Sequence, residues 1–99
     1  MVELKPVKIH DRLFTAVTVH LPKTKLMAIS SDKGYIMCGA LDVGLLNERL
    51  REREIIAARA VGVKSIEELL EAPLESVTEM ARKHGIVPGM KGRDALLLM

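Results

Sequence analysis

The sequence is poor in aromatic side chains: Phe14 and Tyr35 are the only two among 99 residues, and there is no tryptophan. Proteins that hold RNA loops or single strands stack the bases on exposed rings, and two rings do not make such a platform. Basic residues (15) barely outnumber acidic ones (13), for a net charge of +2, and they form no dense run. The electrostatic footprint of a nucleic-acid binder is therefore lacking too. A single cysteine, Cys38, excludes an internal disulfide and a C-x-x-C zinc pair. No histidine or carboxylate pair has the spacing of metal ligands, so neither a metal nor another cofactor is expected. No apolar run approaches the roughly 20 residues that cross a bilayer. Met1-Val2-Glu3 opens without the basic start and apolar core of a signal peptide. The expectation is a cytoplasmic protein with no nucleic-acid or membrane partner.

What is present suits one folded domain over residues 1–99. Hydrophobic residues make up 48% of the chain, and the 28% that are charged are spread along it, which supplies a core and argues against disorder. The stretch Gly34-Tyr35-Ile36-Met37-Cys38-Gly39-Ala40-Leu41-Asp42 reads as a fully buried strand over 35–40 feeding a helix capped by Asp42.

Ahead of it, residues 2–9 contain a weak strand, which Pro6 demotes to an edge or irregular strand. His10-Asp11-Arg12 is a polar break. From Leu13 to Leu21 the alternation is clear: Leu13, Thr15, Val17, Val19 and Leu21 share one side, Phe14, Ala16, Thr18 and His20 the other. Pro22-Lys23-Thr24-Lys25 is a hairpin turn, Leu26–Ile29 a third strand, and Ser30–Gly34 a loop. After the buried strand, Val43, Leu46 and Leu50 make the stripe of a helix over about 43–53. Ile55–Val63 reads as a further strand, and a helix between two buried strands predicts a parallel pair. Ser65-Ile66-Glu67-Glu68 is a capping box for a short helix ending near Ala72-Pro73. Leu74, Val77, Met80, Ala81 and His84 mark a second helix with Gly85 past its end. Ile86–Gly89 is an extended link, and Arg93–Met99 a short apolar tail helix or docking segment. The expected fold class is α+β: a mostly antiparallel sheet of about five strands in a two-layer sandwich, with helices packed on one face.

Few residues invite chemistry. Cys38 lies shortly before a helix start, where a thiolate is favoured, but cysteine also fills β-cores as a small hydrophobe. Gly39 beside it permits close approach of a ligand to the backbone. Asp42 is a helix cap or, given a partner, an acid/base group. Arg59 shares a strand side with Ile55, Ala57, Val61 and Val63, so it must reach water, pair with a carboxylate, or bind an anion. Gly92 and Arg93, within Gly89-Met90-Lys91-Gly92-Arg93, suit either an anion at a helix start or a plain turn with solvated bases. Lys23 and Lys25 read as ordinary turn charges, and His10, His20 and His84 as surface histidines.

Phe14-Thr15-Ala16-Val17-Thr18-Val19, Leu21-Pro22-Lys23-Thr24, the Gly34–Asp42 block, Arg59-Ala60-Val61-Gly62-Val63 and Gly89-Met90 with Gly92-Arg93 resemble the YunC family over essentially the whole chain. These are small bacterial and archaeal proteins classed as a domain of unknown function. The resemblance implies a two-layer α/β sandwich and no particular activity, ligand or site residue. Two functions stay open on the residues alone. One is a self-associating domain, a homo-oligomer, that binds a small anionic ligand through Gly39, Asp42, Arg59, Gly92 and Arg93. The other is an enzyme on an anionic metabolite, with Cys38 as nucleophile and Arg59 and Arg93 holding the substrate.

Overall fold

A computed structural model describes residues 1–39, 43–48 and 51–99. Six strands form one sheet in the order of the chain: β1 (Val2–Ile9), β2 (Arg12–Leu21), β3 (Thr24–Ser30), β4 (Gly34–Met37), β5 (Ile56–Arg59) and β6 (Ser76–Val77). Every neighbouring pair is antiparallel except β4–β5. That pair encloses α1 (Val43–Glu48) and a 3-10 turn at Arg51–Arg53, as a parallel crossover requires. The α+β class and the mostly antiparallel sheet are as expected.

Hairpin turns join the first strands. Ile9 faces Arg12 across His10-Asp11, and Leu21 faces Thr24 across Pro22-Lys23. Lys23 holds φ +64. With proline before it, this is the pattern of a type II turn, whose third position favours glycine.

The main core lies on one face of the sheet. Phe14, Ala16, Met27, Ile29, Ile36 and Ala58 point into it from the strands. Covering them are α2 (Ile66–Glu71), α3 (Glu79–Lys83) and α4 (Gly92–Leu96), through Leu69, Ala81 and Leu96. Gly92 is required by this packing: a Cβ there would land on the Leu69 carbonyl oxygen and 2.9 Å from the Ile36 side chain. Arg12 ties β2 to the same layer, donating from Nη1 to the Leu97 carbonyl at 2.8 Å.

Several boundaries differ from expectation. The helices are not confined to one face: Val43 and Leu46 of α1 pack on Ala57 beside Tyr35 and Met37, on the opposite side of β4–β5. The β5 ladder stops at Arg59, and Gly62, at φ +75, redirects the chain soon afterwards. A continuous helix over 74–84 does not form. Pro73 bridges to Lys91, Ser76-Val77 pair with β5 as a sixth strand, and α3 begins only after Thr78. The decisive residue is Thr78. Its hydroxyl accepts from Ala81 N–H as an N-cap, accepts from Ala57 N–H at 3.2 Å, and donates to the Ile55 carbonyl at 2.7 Å. A side chain that serves a strand and a helix start together outweighs the apolar stripe on either side of it.

Candidate functional site

Strand pleating decides where the expected site residues go. Cys38 follows Met37 with the parity of Ile36, so its thiol points into the main core, where the residue is 6% exposed. It is pinned to β3: Cys38 N–H donates to the Met27 carbonyl at 3.0 Å, and Met27 N–H donates to Sγ at 3.5 Å. Arg59 pairs with Met37 in the parallel register and shares its parity with Ala57. Its side chain therefore leaves from the opposite face of the sheet. Thiol and guanidinium are not brought together.

The remaining candidates separate further. Arg59 Nε lies 3.2 Å from Glu75 Oε1, beside a cleft of about 400 Å³ that Arg82 and Asn47 also line. Arg93, on α4, donates from Nε to Glu71 Oε2 at 2.9 Å and sits on the surface between α2 and α4. The Gly92 amide donates to the Ala72 carbonyl at 3.1 Å, so this turn's glycine serves packing and its N–H is engaged within the chain. Gly39 is exposed, and a Cβ there would make only an ordinary 3.5 Å contact with Val61. Asp42 lies outside the described residues. Among the described residues no group of three His, Cys, Asp or Glu side chains could hold a metal ion, and no helix is long and apolar enough to cross a membrane.

A different set of cations does converge. The carboxyl ends of β4 and β5 point toward the β2–β3 turn, because β3 runs antiparallel to β4. There, Lys23, Thr24 and Lys25 from the turn meet Val63 and Lys64 from the segment after β5, over Met27, around a cleft of about 430 Å³. Among the described residues, the lining carries three lysines and no acidic residue. None of the three lysines has an ion-pair partner among the described residues.

A second cleft of about 200 Å³ adjoins it, sharing Lys25 and Met27. Here acidic partners are at hand: Lys5 Nζ lies 3.2 Å from Glu67 Oε1, and His20 Nε2 3.1 Å from Glu3 Oε1. Glu67 is held below the usual carboxylate range, first by its own backbone amide and then by Lys5. No spacing in the sequence announces that Lys64 meets Lys23 and Lys25. Only the parallel β4–β5 pairing, which places the segment after β5 at that end, makes them neighbours.

Comparison with known proteins accords with this fold. The chain is 64% identical over 99 residues to "Uncharacterized protein YunC" of Bacillus subtilis (strain 168), a match covering 100% of this chain and 98% of that protein. The crystal structure titled as a protein of unknown function, TA1206 from Thermoplasma acidophilum, superposes with a TM-score of 0.86 at 29% identity. That match covers 97% of this chain and 90% of the other. The model of the domain of unknown function DUF1805 matches residues 37–99, the part running from the end of β4 through the crossover to the last helix. The chain therefore belongs to the DUF1805, YunC-like family.

Proposed function

We propose that this chain is a binding domain for a small anion, held at the carboxyl ends of β4 and β5 by Lys23, Lys25 and Lys64. One observation carries this: among the described residues, three lysines and no acidic residue line one cleft, whereas Arg59 and Arg93 each lie against a glutamate. Open parallel sheets take ligands at this edge, beyond the strand carboxyl ends. The cleft volume of about 430 Å³ falls within the range of small-molecule sites. Lysines act as mobile point charges on short stretches of backbone, which suits a phosphate or carboxylate group. The Thr24 hydroxyl adds a donor, while Met27 and Val63 supply an apolar floor. Binding is favoured over catalysis because Cys38 lies under the Met27 backbone, sealed from the cleft. A free, buried thiol is also in keeping with a cytoplasmic location.

Calorimetric titration with inorganic pyrophosphate tests the assignment. The expected result is saturable binding that weakens with added salt. Each single Lys→Ala change should weaken it by roughly two- to fivefold, the scale of one exposed charge contact. The triple variant should lose it, while Arg93→Ala leaves it unchanged. Binding that survives the triple variant, or that disappears with Arg59→Ala or Arg93→Ala, would place the anion elsewhere.

A further inference from the structure

We infer that a second copy of this chain packs on the open face of β1, β2 and β3, sheet against sheet. Beyond α1, which reaches only β4–β5, the side of the sheet away from the main core has no cover among the described residues. Two rows of side chains cross it in register, Val2–Val19–Leu26 and Leu4–Val17–Ala28. Leu4 is 71% exposed there, and Leu13, further along the same side, is 73% exposed.

Charge placement on these three strands runs opposite to what a water-facing surface needs. Glu3, Lys5, Arg12, His20 and Lys25 all project on the helix-covered side, at its rim, while the open side carries one charge, Lys8, beside the first turn. An antiparallel sheet with one solvated face normally alternates apolar-in and polar-out. Here the outer set is mostly apolar as well, Thr15, Thr24 and Ser30 being its polar members besides Lys8, so water is not its natural partner.

The occupant follows from the same chemistry. A face with almost no charge is complementary to another such face, because neither side then buries an unpaired ion. A second copy supplies one. A two-fold axis lying between the sheets and running across the strands would set the two Lys8 side chains at opposite ends, in water. Aligned sheets about 10 Å apart are a standard arrangement. Three strands of this length present roughly 14 by 30 Å of sheet per copy. With side-chain relief and a rim, two such faces reach the scale of about 1,200 Å² at which small specific interfaces begin. Pro6 in the edge strand β1 disfavours the alternative of strand-to-strand extension.

Sedimentation equilibrium across the micromolar range tests the pairing. The wild type should form a dimer, and Leu4→Lys should weaken it by more than ~10-fold without changing the melting curve of the dilute protein. Leu13→Lys repeats the test if Leu4→Lys does not fold, and Leu98→Lys, an exposed leucine on the helix side, should leave the dimer intact. A wild type that stays monomeric throughout would overturn the inference. So would a dimer indifferent to Leu4→Lys and Leu13→Lys together, or a monomer that instead floats with neutral phosphatidylcholine vesicles through this face.

Discussion

The two faces of the sheet are built from the same strands with similar residue types, yet they meet different fates. On one, Phe14, Ala16, Met27, Ile29 and Ile36 are sealed beneath α2, α3 and α4. On the other, Val2, Leu4 and Leu13 face outward, with no helix over them among the described residues. The difference lies in what the rest of the chain brings. The C-terminal half supplies a helical layer for one face, and α1 covers only the parallel pair on the other. Hydrophobicity alone thus does not say which surface is the interior. The position of covering elements does, and the apolar surface left over is the place to look for partners.

Substitutions on the two faces should separate cleanly. Ile36→Ala, in the sealed face, is expected to cost about 3 kcal/mol, the usual range for truncating a buried isoleucine. Leu13→Ala, on the open face, should stay within about 0.5 kcal/mol in dilute protein. Urea unfolding of both variants measures the contrast, and equal losses would break it.

Gly92→Ala should come next, at about 2 kcal/mol, because the new methyl meets the Leu69 carbonyl in a packed layer. Pyrophosphate affinity in the variant that remains folded should be unchanged, which distinguishes a packing glycine from an anion-binding one. Thr78→Ala is expected to cost about 1–2 kcal/mol. It removes the α3 cap and leaves the Ala57 amide of a buried strand without its hydroxyl partner.

The smallest effect lies at the exposed edge of the covered face, where Lys5 meets Glu67. The Glu67 carboxyl is depressed below its ordinary value, chiefly by its own backbone amide and next by Lys5. A depressed carboxyl stabilises the folded chain above its unfolded pKa, and that contribution fades as pH falls through the folded value. Melting temperatures followed from neutral pH into the acid range should therefore fall less steeply for Glu67→Gln than for the wild type. An identical slope would show that the pair contributes nothing.

The alternation in β2 gave away a strand, and the Ser65–Glu68 box gave away the start of α2: the Ser65 hydroxyl accepts from Glu68 N–H at 3.1 Å. Both are local signals with a local cause. The sixth strand was hidden, because Leu74, Val77 and Ala81 have helical spacing and only the tertiary bonds of Thr78 cut the segment at that point. The proposed Cys38–Arg59–Arg93 grouping depended on distances between elements. Pleat parity sends Cys38 and Arg59 to opposite faces, and α4 carries Arg93 to Glu71. Lys23 and Lys25 looked like ordinary turn charges for a related reason: their neighbour Lys64 is brought to them by a crossover, and pairing across a crossover leaves no trace in spacing.

On our proposal, the sheet keeps one apolar face for its own helices and the other for a second copy. The most direct measurement is methyl NMR with a soluble paramagnetic probe, in dilute and in concentrated protein. The methyls of Leu4, Val17 and Val19 should be strongly relaxed when dilute and shielded when concentrated, while those of Ile29, Ile36 and Leu69 should be shielded in both. Open-face methyls that remain equally accessible at every concentration would contradict it.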